Sequence, residues 1–234
     1  MPAVLAACRA GGNRVRTGAR MGYDETTRFP EVPMLRTALV LTLALAGPAL
    51  ATQEYILPTL FDVARVAPDD VLNIRADPSA SAPILGTLAP DATRIEVVEE
   101  IRGWARVNIG EGTGWVSARY LDYRTDVWEE GALPEGFACY GTEPFWNLRA
   151  TEDQIALQQL GEPDLTMPLT AVLSTGVFRD PTRAVLAEGL TLTAAPQICG
   201  DGMSDRQFGL RALVVLQGDR PRMLTGCCSV QPRD

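Results

Sequence analysis

Short runs in which apolar and polar residues alternate recur along the chain from Leu72 onward, and turn-forming residues, chiefly Gly, Pro and Asp, separate them. Alternation of this kind over about four to eight residues is typical of β-strands that bury one face. No stretch has a convincing helical period; "AVLAEGL" comes nearest, and Gly189 interrupts it. The pattern therefore predicts an all-β protein.

The first group of runs predicts a small closed β-barrel at residues 62–122. Turn signals such as Asp77-Pro78-Ser79 and Gly110-Glu111-Gly112 separate its strands. The predicted strands are Leu72–Arg75, Arg94–Glu99, Trp104–Ile109 and Gly114–Ser117. So short a segment buries little core; the residues expected to supply it are Ile74, Leu85, Leu88, Ile95, Val97, Trp104, Val107 and Trp115.

The second group of runs predicts an antiparallel β-barrel or sandwich at residues 138–234. Residues 123–137 have no clean period and are expected to form a linker that packs against one domain through Trp128. The predicted strands of this second domain are Trp146–Ala150, Ile155–Leu160, Leu165–Leu173, Arg183–Ala187, Leu190–Ala194, Gln207–Leu216 and Met223–Cys228.

The segment before these domains has the layout of a targeting signal. Residues 34–51 contain one positive residue, Arg36, then an apolar run, a Gly-Pro break and an Ala-Leu-Ala site, which together predict a secretory signal peptide. Residues 1–33 are interpreted as a disordered extension or a misassigned start. We therefore expect a periplasmic or secreted protein, without a membrane span once the signal is cleaved.

Composition excludes several classes of chemistry. The 234 residues include no histidine, and all 21 basic residues are arginine. Without His, the Ser-His-Asp and Cys-His mechanisms and the common zinc sites cannot be assembled. Without Lys, the phosphate-binding P-loop, Schiff-base chemistry and Ser-Lys dyads are excluded. We expect no catalytic residue, no metal, no cofactor and no enzyme activity, and the net charge of −8 argues against a nucleic-acid partner.

Four cysteines follow the predicted signal peptide: Cys139, Cys199, Cys227 and Cys228. In an oxidising compartment they predict two disulfides, with three possible pairings. A bond between the adjacent Cys227 and Cys228 would distort the peptide between them. Each is therefore expected to pair with either Cys139 or Cys199.

The first predicted domain resembles the bacterial SH3 family. The matching segments are "LNIR" at Leu72, "PILGTL" at Pro83, "GWARV" at Gly103 and "GTGWVSARYL" at Gly112. The resemblance implies a five- or six-stranded barrel that binds peptidoglycan, peptide or protein. It places candidate ligand contacts at Asn73, Arg75, Trp104, Trp115 and Tyr120, although both tryptophans also suit a core.

The second predicted domain resembles a little-characterised family of bacterial envelope domains. The shared motifs are "EPFW" at Glu143, "CGDGMSD" at Cys199 and "GC" at Gly226. The family carries no activity that transfers to this chain. It does imply that Cys199 bonds Cys227, which leaves Cys139 for Cys228.

The "DGMSD" segment has the polar density of a binding site and also that of a tethered loop. A calcium site at Asp201 and Asp205 is a weak alternative because no third acid lies nearby. The interpretation favoured here is architectural: Asp201 and Ser204 bond nearby amides, and Cys199 fixes the base of the loop. A Trp146 buried under the loop would favour this architectural interpretation. If instead Glu143, Trp146 and Arg206 line an open cleft where the two motifs meet, they are the candidate ligand contacts.

These observations favour an exported, monomeric, non-enzymatic binding protein of the cell envelope, whose SH3 domain recognises peptidoglycan or peptide. The alternative is a protein-directed inhibitor or adaptor of an envelope enzyme, for which an acidic surface suits a basic target such as a lysozyme. A carboxylate hydrolase using Glu143, Asp201 or Asp205 ranks last.

Overall fold

A computed structural model describes residues 56–231 of the chain. Within that range the protein is all-β, as predicted, with one 3-10 helix at Ala118–Tyr120. The strands of its first half are β1 (Thr59–Val63), β2 (Leu72–Arg75), β3 (Ile84–Leu88), β4 (Ile95–Val97), β5 (Glu99–Ile101), β6 (Trp104–Ile109), β7 (Gly112–Ser117) and β8 (Leu121–Tyr123). Those of its second half are β9 (Ala138–Thr142), β10 (Phe145–Ala150), β11 (Gln154–Gln159), β12 (Leu165–Ser174), β13 (Arg183–Ala187), β14 (Leu190–Cys199), β15 (Phe208–Leu216) and β16 (Arg222–Ser229).

Strands β1–β8 form two small sheets around one core, here called the N-terminal module. One sheet has the order β4-β1-β8 and the other β3-β2-β7-β6-β5. Their shared core includes Ile74, Val97 and Val107, as predicted. The prediction for Leu85 is wrong: this side chain is 50% exposed, because β3 lies at the edge of its sheet and presents Ile84 and Leu85 to solvent.

Strands β9–β16 form a closed eight-stranded antiparallel barrel, in the order β10-β11-β12-β13-β14-β15-β16-β9. The second domain is therefore a barrel rather than a sandwich. Alternate residues point inward, so Leu148 and Leu157 face each other across β10 and β11 and are fully buried. Closure leaves these strands without an unpaired edge, and the inward side chains fill the interior.

Strand β1 contributes to both cores. Phe61 and Val63 pack into the N-terminal module, whereas Leu60, immediately before Phe61, packs into the core of the barrel. Immediately before the strand, the Pro58 carbonyl accepts a hydrogen bond of 2.8 Å from Trp128 Nε1. Each face of β1 is thus covered by a different domain, which joins the module and the barrel.

The segment predicted as a linker packs against the barrel through Trp128, which is buried as expected. The Arg183 guanidinium lies 4.9 Å from the centre of the Trp128 ring. Although buried, Arg183 donates to the backbone carbonyls of Ala132, Asp180, Thr182 and Glu129, and burial lowers its pKa. One cation therefore satisfies carbonyls of both the linker and the β12–β13 loop.

Two disulfides join the four cysteines, and the pairing is the one that the envelope-domain resemblance implies. Cys139 bonds Cys228, its direct cross-strand neighbour on β9 and β16. Cys199, at the end of β14, bonds Cys227. The first bridge belongs to the barrel core, and the second belongs to a separate cluster with Tyr140 and Phe208.

The predictions of a signal peptide at 34–51 and of an extension at 1–33 lie outside the described residues. In residues 56–231, no helix has the length and apolar character needed to cross a membrane.

Candidate functional site

Four of the five ligand contacts implied by the SH3 resemblance line a single groove of about 570 Å³ in the N-terminal module. They are Asn73 and Arg75 on β2, Trp104 on β6, and Tyr120 in the 3-10 helix. All four are half-buried, so each presents part of its side chain to the groove. The structure thus brings together residues that are up to 47 positions apart in the chain.

The fifth residue, Trp115, takes no part in this groove. It is buried, and the Arg106 guanidinium lies 4.6 Å from the centre of its ring. Arg106 also pairs with the carboxylate of Glu99 at 3.2 Å. Trp115 therefore has the structural role that the sequence analysis left open for both tryptophans.

Three arginines make this groove basic within an acidic protein. Arg65, Arg75 and Arg119 line it, against the single carboxylate of Asp70. Arg75 donates through Nη1 to the Ala82 carbonyl at 2.7 Å, which orients its guanidinium. Arg119 stacks 4.5 Å from the centre of the Tyr120 ring and bonds its hydroxyl. A groove with aromatic walls and this charge suits a ligand that carries a carboxylate.

Sequence reasoning missed Arg65 and Arg119. Arg119 lies inside the matched segment "SARYL", so its position next to Tyr120 was available as a signal. Arg65 precedes the predicted strands and reaches the groove only through folding. Its guanidinium bonds the carbonyls of Arg119 and Leu121 and the carboxylate of Asp122.

The "EPFW" and "DGMSD" motifs meet in space at the barrel. Phe145, Trp146, Asp201 and Met203 line a common pocket of about 430 Å³, together with residues of β9 and β11. Trp146 is only 4% exposed, and its indole packs where side chains on Gly141 and Gly226 would clash. Its Nε1 donates to the Thr225 carbonyl at 3.3 Å. Trp146 thus forms the buried floor of the pocket.

An apolar rim surrounds the opening of this barrel pocket. It consists of Phe145, Leu160 and Met203, which are 46%, 77% and 68% exposed. The Leu160 amide donates to the Phe145 carbonyl at 3.0 Å, so these two residues are held side by side. Exposed apolar side chains grouped in this way are typical of interaction sites.

The "DGMSD" loop is built as the sequence analysis predicted. Asp201 is buried, and its Oδ1 accepts hydrogen bonds from the amides of Met203 and Ser204 and from the Ser204 hydroxyl. Ser204 Oγ in turn accepts from the amide of Arg206 at 3.3 Å. Gly202 adopts a φ of +73°, a conformation that favours glycine. The polar density of the loop is largely accounted for by these local bonds.

Glu143 and Asp201 share a smaller pocket of about 180 Å³ with Thr142, Arg211 and Thr225. Glu143 is exposed at the β9–β10 turn. Asp201 is committed to the turn of its own loop, as described above. The two carboxyl groups therefore occupy different environments, and only Glu143 is open to solvent.

Arg206 lies away from these pockets and joins the loop to the N-terminal module. Its Nε donates to the Gly110 carbonyl at 2.5 Å. The amide of Asp205 donates to the Glu111 carbonyl at 2.8 Å. Asn108 and Gln207 exchange two further bonds, of 2.9 and 3.0 Å. The loop thus binds the β6–β7 hairpin, and the structure does not bring Arg206 together with Glu143 and Trp146.

No group of three or more Cys, Asp or Glu side chains within residues 56–231 is placed to hold a metal ion.

Comparison with known proteins finds a match for one segment of the chain, in the N-terminal module. Residues 70–122 match the family model of the bacterial SH3 domain. The match covers the groove residues from Asp70 to Tyr120, and it is consistent with a peptidoglycan-binding module. No curated protein and no solved structure matches the chain. The SH3 domain and the two disulfides are compatible with an extracytoplasmic protein.

Proposed function

We propose that this is an exported, monomeric, non-enzymatic binding protein whose SH3 groove binds peptidoglycan or a peptide. The observation that carries the proposal is the gathering of Asn73, Arg75, Trp104 and Tyr120 in one groove inside the matched domain. The sequence supports the absence of catalysis, because it lacks the histidines and lysines on which most of the relevant mechanisms depend.

The groove is locally positive although the protein as a whole is negative, and this local charge favours binding of an anionic ligand. A protein with a net charge of −8 is repelled by anionic wall polymers. The groove, however, carries three arginines against Asp70, and Asp122 pairs with only one of them, Arg65. Such a site attracts a carboxylate because its arginines contact the ligand, whereas the other negative charges of the protein lie farther away and repel it more weakly. Binding is therefore expected to weaken as ionic strength rises.

The test is a pull-down on purified peptidoglycan at low salt, with the folded state checked by circular dichroism. We expect the native protein to be retained, and a Trp104→Ala, Arg119→Gln variant to lose at least about tenfold in affinity, since a charge-assisted bond and an aromatic contact are removed. Arg220→Gln is the matched control, because Arg220 is an exposed arginine in the β15–β16 turn. Failure of the folded native protein to bind the wall at low salt contradicts wall recognition.

A second candidate function, recognition of an envelope protein, rests on a different observation. The apolar rim of Phe145, Leu160 and Met203 surrounds the barrel pocket, outside the SH3 groove. An acidic protein with such a rim suits a basic target, for example a lysozyme. Inhibition of lysozyme at low and high salt tests this function.

For that second candidate, Phe145→Ser with Met203→Ser is expected to abolish inhibition. Met223→Ser is the control, because Met223 is another exposed methionine of the barrel, 65% exposed, outside the pocket. If the folded native protein leaves lysozyme fully active at low salt, inhibition of lysozyme is excluded as the function.

A further inference from the structure

A buried glutamate lies between the N-terminal module and the barrel. Glu96 is the middle residue of β4 and is 3% exposed. Its neighbours Ile95 and Val97 face the core of the N-terminal module. Alternation along the strand therefore directs Glu96 to the opposite face, on the same side as its cross-strand partner Leu60, which packs into the barrel core.

The barrel meets this carboxyl group with the end of β16 and the residues that follow. Oε1 of Glu96 accepts a hydrogen bond of 3.1 Å from the Val230 amide. Oε2 is hydrogen-bonded to the Ser229 hydroxyl. The Glu96 amide also donates to Oε1 of Gln231 at 3.3 Å. Both oxygens of the carboxyl group are thus engaged across the contact between the two domains.

The contacts of Ser229 indicate which group carries the proton. Its hydroxyl oxygen lies within hydrogen-bond distance of Glu96 Oε2 and, at 2.7 Å, of the Gln231 carbonyl, and it accepts from the Gln231 amide at 3.1 Å. A serine hydroxyl has one proton and cannot donate to two acceptors. All three contacts are hydrogen bonds if Glu96 is protonated, donates to Ser229, and Ser229 donates to Gln231. With ionised Glu96, the single proton of Ser229 serves either Glu96 Oε2 or the Gln231 carbonyl, and the other of these two contacts has no proton.

The charges around Glu96 do not compensate for its burial. Desolvation raises the pKa of its carboxyl group to about 7, against the lowering effects of the Ser229, Val230 and Gln231 hydrogen bonds and of Arg206. Arg206 acts through space, since its Nε bonds Gly110. Arg94, the residue before β4, pairs with Glu135.

We propose that Glu96 is a proton-operated latch between the SH3-containing module and the barrel. The protonated carboxyl group completes the hydrogen-bond chain through Ser229 to Gln231. Loss of the proton removes one hydrogen bond of that chain and leaves a charge buried in the contact. The proton passes to solvent water, so no other reactant is needed. The latch is closed in mildly acidic surroundings and weakened in alkaline ones.

The direction of the pH effect follows from proton binding. The ordinary pKa of Glu is 4.5, so between that value and about 7 the folded protein holds a proton that the unfolded chain has lost. Stability from this group is therefore complete below about 4.5 and is lost as the pH rises through 7. A carboxylate whose pKa is lowered by folding instead contributes stability that is lost as the pH falls. The direction of the pH dependence therefore distinguishes Glu96 from such carboxylates.

The first experiment follows the side-chain carboxyl of Glu96 in the native protein by carbon-13 NMR during a pH titration. A midpoint well above the ordinary value for Glu supports the latch. A midpoint near 4.5 overturns it. Because this measurement needs no variant, it does not depend on whether a substituted protein folds.

The second experiment compares native protein with Glu96→Gln, which keeps a neutral group of the same shape. The unfolding constant of the native protein, divided by that of the variant, is expected to rise about tenfold per pH unit between pH 5 and 6.5. Glu188→Gln removes an exposed glutamate from the β13–β14 turn and should leave this pH dependence unchanged. A pH-independent ratio for Glu96→Gln contradicts the proposal.

Hydrogen exchange at the Val230 amide shows whether the effect is located at the contact. After correction for intrinsic exchange, protection is expected to fall between about pH 4.5 and 7 in the native protein and to stay constant in Glu96→Gln. Equal pH profiles for the two proteins would mean that protonation of Glu96 does not control this contact.

Discussion

Cys227 and Cys228 are adjacent in β16 and point to opposite faces of the barrel wall. Cys228 bonds Cys139 inside the barrel, and Cys227 bonds Cys199 beneath the "DGMSD" loop. The period of a β-strand therefore explains why two neighbouring cysteines serve two bridges rather than one. One bridge fixes the barrel core, and the other fixes the loop that contacts the N-terminal module.

Removal of the two disulfides is expected to lower the free energy of unfolding by different amounts. Cys139→Ala with Cys228→Ala opens a link across 89 residues and leaves a gap in the core, so we expect a loss of about 4 kcal/mol or more in the free energy of unfolding. Cys199→Ala with Cys227→Ala opens a link across 28 residues, with an expected loss of about 3 kcal/mol. Denaturant unfolding measures both, and a larger loss for the second pair contradicts this assignment.

Gly226 is expected to tolerate no side chain. A Cβ there would lie 2.0 Å from the Tyr140 carbonyl and 2.7 Å from the Trp146 ring, so Gly226→Ala should cost about 3 kcal/mol or more and disturb tryptophan fluorescence. Gly200→Ala is the control, because its Cβ would meet only Gln207 Nε2, at 3.9 Å. Equal stability of the two variants, measured in denaturant, would show that Trp146 is not packed as described.

Asn108 is expected to hold the "DGMSD" loop on the N-terminal module. Asn108→Ala removes both bonds to Gln207, which should cost about 1–2 kcal/mol and increase hydrogen exchange at the Gln207 amide. Asn147→Ala removes the same kind of side chain from the barrel pocket, outside this contact. Unchanged exchange at Gln207 in Asn108→Ala would mean that the loop is held in another way.

Arg183 is expected to be the most sensitive arginine of the barrel. Arg183→Met keeps an apolar stem against Trp128 but leaves several backbone carbonyls without their donor, so we expect a loss of about 3 kcal/mol or more. Arg220→Met, at an exposed turn, should change stability by less than about 0.5 kcal/mol. Thermal or denaturant unfolding compares the two; a small effect at Arg183 would mean that water replaces its hydrogen bonds.

The alternating strands were predictable because one face of each strand meets solvent. The sequence pattern did not reveal β1 and β9, because each of these strands is covered on both faces. Leu60 and Phe61 of β1 are both buried, each in a different core. In β9, Cys139 faces the barrel interior and Tyr140 lies in the cluster with Cys199 and Cys227. A strand covered on both faces has no alternation to detect.

The sequence alone determined the all-β class, the SH3 segment and the exclusion of histidine and lysine chemistry. It also determined the local hydrogen bonding of the "DGMSD" loop. Each of these depends on residue type or on contacts between near neighbours. Only the tertiary structure decided that Arg65 and Arg119 join the groove, that Arg206 turns to the N-terminal module, and that Glu96 is buried against Ser229. These outcomes depend on which surfaces the two domains cover. Desolvation and hydrogen bonding across such a contact join residues as far as 135 positions apart, which a local pattern does not record.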